Sequence, residues 1–136
     1  MQKLYCPPGP YSPEICFSHD ERIFFIRGIS SPEDVRGTYY PVIDWLKNYI
    51  DSLLAGNSNH FSNTVPLKFQ VDLEYFNSSS AKFLYDILLE LKRLVSSRIP
   101  MIVEWLYDEE DTDMQEAGSD IATLLEMEFT YVPKPR

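Results

Sequence analysis

Polar and apolar residues alternate most regularly between Val65 and Phe76. There Leu67, Phe69, Val71, Leu73 and Tyr75 interleave with Lys68, Gln70, Asp72 and Glu74. A period of two sends successive side chains to opposite faces, so this segment is a strand with one buried face. Ile99 to Tyr107 is mostly apolar, which suits a strand inside a sheet. Two shorter runs, Glu14 to Phe17 and Arg22 to Gly28, are rich in Ile and Phe and flank the polar His19-Asp20-Glu21. They read as a hairpin. Elsewhere the spacing becomes helical. Tyr39, Ile43, Leu46, Ile50, Leu53 and Leu54 recur every three or four residues and share a face. Ser31-Pro32-Glu33-Asp34 reads as the start of this helix, with Ser31 as the cap and Pro32 in the first helical position. Pro41 interrupts the pattern and predicts a kink there, or a helix that begins near Tyr39. Gly56 is the C-terminal cap candidate, and Asn57 to Asn63 a polar loop. Phe83, Ile87, Leu91 and Leu94, widened by Leu84, Leu88 and Val95, form a second helix ended by Ser96-Ser97-Arg98. Met114, Ala117, Ile121, Leu124 and Leu125 form a third, with Thr112 and Gln115 as its capping box.

The order is strand, strand, helix, strand, helix, strand, helix. Strands alternating with helices favour parallel crossovers. The fold class is α/β, with a mixed sheet of about four strands and helices packed on it. A chain of 136 residues suits one domain, spanning residues 1–136. Pro7-Pro8-Gly9-Pro10-Tyr11-Ser12-Pro13 makes residues 1–12 an extended lead-in. Residues 130–136 are expected to be a loose tail.

Twelve Lys and Arg against 21 Asp and Glu give a net charge of −9. That balance argues against a nucleic acid or an anionic membrane as partner, since both reward a basic face. No apolar run reaches the length of a membrane span, and Met1 to Pro13 lacks the order of a signal peptide. The expectation is a soluble cytoplasmic protein. Two Cys and two His show no zinc spacing, and no cofactor is expected. Cys6 reads as a free thiol and Cys16 as a core residue. His19 and His60 read as ordinary exposed histidines. Tyr39, Trp45 and Trp105 read as core.

Candidate chemistry concentrates in Tyr75-Phe76-Asn77-Ser78-Ser79-Ser80-Ala81-Lys82. Three hydroxyls stand between the end of a strand and the start of a helix. In parallel sheets, ligands and partners are met at the carboxyl ends of strands. Serines there serve as caps and turn formers. They also offer a phosphorylation site, because a helix N-terminus favours an anion and a phosphate adds about two negative charges. The acidic run Asp108, Glu109, Glu110, Asp111 and Asp113 lacks the alternating ligand order and glycine of a calcium loop. It reads as a solvated or partner-facing edge bordering the same surface.

The Tyr75–Lys82 segment resembles the signature Tyr-Phe-Asn-Thr-Ser-Ser-Ser-Lys of the SiaC family of bacterial regulatory phosphoproteins. Ser12-Pro13-Glu14-Ile15 with Phe17, the helix Tyr39-Tyr40-Pro41-Val42-Ile43-Asp44-Trp45-Leu46, and Trp105-Leu106-Tyr107 with its acidic run through Met114, Glu116 and Gly118 resemble other segments of that family. The likeness runs from about Pro13 to Phe129. It implies a fold like that of anti-sigma-factor antagonists (STAS-like) and a non-enzymatic role. It implies binding and activation of a diguanylate cyclase, raising cyclic di-GMP. It also implies phosphorylation by a cognate Ser/Thr kinase and reversal by a metal-dependent phosphatase. The family's modified Thr corresponds to Ser78, with Ser79 and Ser80 as alternatives, because Ser replaces Thr here and Ala81 replaces the last Ser. The expected partner-binding residues are Tyr75, Phe76, Asn77, Ser78, Ser79, Ser80, Lys82, Tyr107, Glu109 and Asp111. Two rival readings are a small hydrolase or transferase using these hydroxyls and carboxylates, and an unswitched structural subunit.

Overall fold

The computed structural model describes residues 2–56 and 58–135, so Met1, Asn57 at the head of the expected polar loop, and Arg136 lie outside the described residues. The elements run β1 (Leu4–Cys6), β2 (Glu14–Ser18), β3 (Ile23–Ser30), α1 (Val35–Leu54), β4 (Leu67–Phe76), α2 (Ser78–Ser96), β5 (Met101–Asp108), α3 (Thr112–Leu125) and β6 (Thr130–Lys134). They form one mixed sheet with its six strands in chain order. The β2–β3 hairpin is antiparallel as expected, and β3 through β6 are parallel.

The sheet has six strands where the pattern predicted about four. Part of the lead-in, Leu4–Cys6, pairs with β2, Leu4 lying opposite Phe17 and Cys6 opposite Ile15. Part of the tail, Thr130–Lys134, runs parallel to β5, Trp105 lying opposite Tyr131. Both are edge strands, held by a neighbouring strand rather than by a periodicity of their own. Pro7 and Pro8 beside β1 and Pro133 within β6 fit an edge, where a missing donor costs little and discourages further pairing.

Right-handed crossovers between strands laid in chain order place all three helices on one face of the sheet. The core lies under them. Leu67, Phe69, Val71 and Leu73 of β4 face it with Val103, Trp105 and Tyr107 of β5. Tyr39, Leu46, Ile50, Leu84, Leu88 and Leu91 descend from α1 and α2, all essentially sealed. Trp105 donates its indole N–H to the Met114 carbonyl at 2.9 Å. Above it, a Cβ on Gly118 would lie 2.6 Å from the indole, so only glycine lets α3 approach this closely. Trp45 is half-buried rather than core. It packs on Phe17 and Tyr49 and donates to the Gln2 carbonyl at 2.9 Å. The other sheet face is mixed, with Arg27 bridging Glu14 and Gln70 bridging Glu104 beside Phe25, Ile102 and Leu106.

Helix boundaries depart from the sequence expectation at three places. α1 is capped by Asp34, whose carboxylate accepts from Gly37 N at 3.0 Å, and not by Ser31. It begins at Val35 and continues through Pro41. α3 is capped by Asp111, one residue before the expected Thr112. In both cases a carboxylate three residues before a free amide wins over a hydroxyl nearby. Gly56 follows the Ala55 cap at φ 113°, a conformation that glycine adopts without strain.

Candidate functional site

Because β3 to β6 are parallel, Ser30, Phe76, Asp108 and Lys134 end at one edge of the sheet. The β4–α2 turn sits there, and Asn77 fixes it on both sides. Its N–H donates to the Ser30 carbonyl at 3.0 Å, which ties the turn to β3. Its side-chain oxygen accepts from Ser80 N at 2.9 Å, and its carbonyl accepts from Ala81 N at 3.0 Å. Asn77 is therefore the N-cap of α2, with extended backbone. Ser78 and Ser79 occupy the first two helical positions. Their own N–H groups have no intrahelical acceptor, as geometry requires at a helix start.

The three serines are not equivalent. Ser78 and Ser79 are exposed. Ser80 is 0% exposed, and its hydroxyl accepts from Ser30 Oγ at 2.8 Å. Ser30 Oγ also lies 2.5 Å from the Tyr39 hydroxyl. Ser30, Tyr39 and Ser80 thus form a sealed hydroxyl cluster beneath the turn, all 0% exposed. Burial pushes the Tyr39 phenol above its ordinary value, and the two serine hydroxyls partly offset that. The Tyr39 ring stacks on Phe83 of α2, centroids 5.5 Å apart. The Ser80 hydroxyl is thereby sealed from solvent in this fold, in contrast to those of Ser78 and Ser79. Neither Ser30 nor Tyr39 was marked by the sequence as part of the site. The one available sign was a serine ending a mostly apolar strand.

The remaining expected residues divide. Tyr75 is 54% exposed at the strand end, while Phe76 turns inward, edge-on to Trp105 at 6.2 Å. Lys82 is exposed, one turn beyond Ser78, and pairs with Asp86. Glu109 is exposed at the same edge. Tyr107 lies on the helix-facing side of β5 and is 8% exposed, packed with the core instead of open at the edge. The Asp111 carboxylate is engaged in capping α3, accepting from Met114 N at 3.0 Å.

A hollow of about 340 Å³ beside the acidic run is lined by Leu73, Glu74, Asp108, Asp111, Lys134 and Pro135, with no hydroxyl nucleophile among them. His19 and His60 belong to the opposite, amino edge of the sheet, and they are not the exposed, solitary residues expected. Their rings stack 3.9 Å apart, both half-buried. Among the described residues, no group of His, Cys, Asp or Glu gathers that could hold a metal, and no helix is long and apolar enough to cross a membrane.

Comparison with known proteins places this geometry in context. The model of the SiaC family of regulatory phosphoproteins matches residues 6–134. An uncharacterized protein of Pseudomonas aeruginosa strain UCBPP-PA14 is 27% identical over 120 residues, 88% of this chain and 87% of that protein. The crystal structure of apo-SiaC from Pseudomonas aeruginosa is 25% identical with a TM-score of 0.76, covering 98% of this chain and 99% of that one. The crystal structure of the diguanylate cyclase SiaD in complex with its activator SiaC, from the same organism, matches at a TM-score of 0.77 and 24% identity, covering 98% and 99% of the two chains.

Proposed function

The chain belongs to the SiaC family of regulatory phosphoproteins, and from that premise we propose that it is a non-enzymatic partner switch. In its unmodified form it binds and activates a diguanylate cyclase, and phosphorylation of Ser78 releases that partner. A cognate Ser/Thr kinase transfers a phosphoryl group from a nucleoside triphosphate to Ser78 Oγ, releasing the diphosphate and a proton. A metal-dependent phosphatase restores the hydroxyl by hydrolysis. The setting is the bacterial cytoplasm, and the fold is read as a relative of the anti-sigma-factor antagonists.

The observation that carries this reading is the contrast within three consecutive serines. Ser78 is open to solvent on a turn that Asn77 and the buried hydroxyls hold in place. A phosphate there adds charge and bulk without entering the core. A partner closing over that edge would have to desolvate the dianion, which costs far more than desolvating a hydroxyl. The same physics explains why the fold would survive modification. Ser79 shares the exposure and is the second choice; it lacks the position directly after the capping asparagine. The partner's contact surface is read as Tyr75, Asn77, Ser78, Ser79, Lys82 and Glu109.

Two measurements test this. Peptide mapping after incubation with the kinase should find phosphate on Ser78, and phosphate found only outside residues 78–80 would defeat the assignment. In a pull-down with the cyclase, Ser78→Ala should bind like the parent, whereas phosphorylated protein and Ser78→Asp should lose the partner while staying folded. Equal binding by all forms would sink the switch.

A further inference from the structure

Ser78, Lys82 and Asp86 are spaced four residues apart on α2, so their side chains share one stripe of its surface. In the unmodified chain the Lys82 ammonium leans toward the helix C-terminus. Its Nζ lies 3.2 Å from Asp86 Oδ2 and 4.8 Å from the Phe83 ring centroid. This hold is weak. The Lys82 side chain is 69% exposed and that of Asp86 33%. A cation placed N-terminal to its carboxylate is also the poorer order for such a pair.

A phosphate on Ser78 Oγ reverses each disadvantage. It stands four residues N-terminal to Lys82, the better order. It carries about two negative charges instead of one. It also sits where the helix dipole favours an anion. Resting on the reading of Ser78 as the phosphosite, we propose that Lys82 is the internal counter-ion of the phosphate and changes partner on modification. Its ammonium leaves Asp86 and moves back one turn to the phosphoryl oxygens. The modification then alters two places on the surface. It charges the mouth of α2, and it strips Asp86 of its cation one turn further along. A partner that reads this stripe meets a changed charge pattern over two helical turns, not only at one oxygen.

The test uses the full chain with phosphoserine installed at position 78 during translation, so that no kinase is needed. The phosphate is titrated by phosphorus NMR in the parent and in Lys82→Gln, and the Asp86 carboxylate is followed by carbon NMR. The phosphate of the parent is expected to bind its last proton about twofold less tightly than that of Lys82→Gln. The Asp86 carboxylate carbon of the phosphorylated parent, read at neutral pH, is expected to resonate where it does in unmodified Lys82→Gln. Identical phosphate titrations in the two proteins, or an Asp86 indifferent to the phosphate, would overturn the exchange. A kinase that ignores Ser78 defeats the phosphosite reading instead, and leaves this measurement standing.

Discussion

The carboxyl edge of the sheet and its amino edge both carry polar side chains close to the core, but they arrange them oppositely. At the carboxyl edge the polar groups are sorted by depth: Ser30, Tyr39 and Ser80 are sealed together, and Ser78 and Ser79 stand outside them, exposed. At the amino edge the polar groups are spent on one another. His19 stacks on His60, shares a hydrogen bond between its Nδ1 and the Tyr49 hydroxyl at 2.6 Å, and offers its carbonyl to His60 Nε2 at 2.7 Å. Arg22 adds a hydrogen bond to the His60 carbonyl and lies 5.8 Å from the Phe61 ring centroid. One edge presents exposed hydroxyls on a buried base. The other uses its polar atoms to fasten the residue 58–63 segment to the β2–β3 turn. A modifiable group has to be left over after the fold has used what it needs, and at the carboxyl edge Ser78 and Ser79 are left exposed beside a sealed cluster of the same chemistry.

The sharpest way to break this comparison is to place the same charge at two depths. Ser78→Asp puts a carboxylate at the first helical position in water, where the dipole favours it by about 0.3–1 kcal/mol. Ser80→Asp puts it at the third position, also favourable along the helix, but into a cluster with no exposure. An unpaired buried carboxylate costs about 3 kcal/mol or more. Urea denaturation should therefore show Ser78→Asp unchanged or slightly stabilised and Ser80→Asp severely destabilised. Comparable stabilities would mean that the turn opens freely and the depth sorting is illusory.

Much of this was legible in the chain. The alternation from Leu67 to Leu73 and the helical rows of α1, α2 and α3 define the crossover architecture, because each buries a stripe, although Tyr75, Leu54, Val95 and Leu124, expected on those faces, are exposed. The site was legible as a strand–serine–helix junction with Asn77 at its head. The edge strands were not, since β1 spans only Leu4–Cys6 and β6 contains Pro133. Such strands exist through hydrogen bonds to a neighbour that local spacing cannot reveal. Nor could spacing say which serine of Ser78, Ser79 and Ser80 points inward. That depends on Ser30 and Tyr39, residues 50 and 41 positions earlier than Ser80, arriving beneath the turn. Tyr107 misled for a related reason. Its acidic neighbours suggest a surface, but its place in the period-two alternation of β5 sends it to the core.

A milder change probes the base of the carboxyl edge. Tyr39→Phe keeps the ring stacked on Phe83 and removes one hydroxyl from the buried cluster. The expected loss is about 1 kcal/mol, with faster hydrogen exchange at the Ser80 amide. Asn77→Ala removes the side-chain acceptor of that amide and should cost about the same, while Asn77→Asp, which keeps an acceptor, should cost little. If Asn77→Ala leaves stability and Ser80 exchange untouched, the turn is held by Ser30 alone.

The smallest expected effect lies at the amino edge and sharpens the contrast in titration. Burial lowers the pKa of His19 below its ordinary 6.5, the neighbouring His60 adds to this, and Arg22 acts in the same direction while Asp20 opposes it. Burial also raises the Tyr49 phenol, which keeps its proton while it shares a hydrogen bond with His19 Nδ1. A base with a depressed folded-state value takes up its proton more readily when unfolded. The stability it contributes is therefore complete above the unfolded value and declines as pH falls through it, levelling off once folded His19 is protonated. NMR titration should find His19 protonating at lower pH than a free histidine. His60→Phe keeps a ring in the stack but removes its charge, so His19 should move part of the way back and remain below the ordinary value, because burial is the larger cause. A complete return to 6.5 would mean that the stacked pair, and not the enclosure around it, sets the chemistry of this edge.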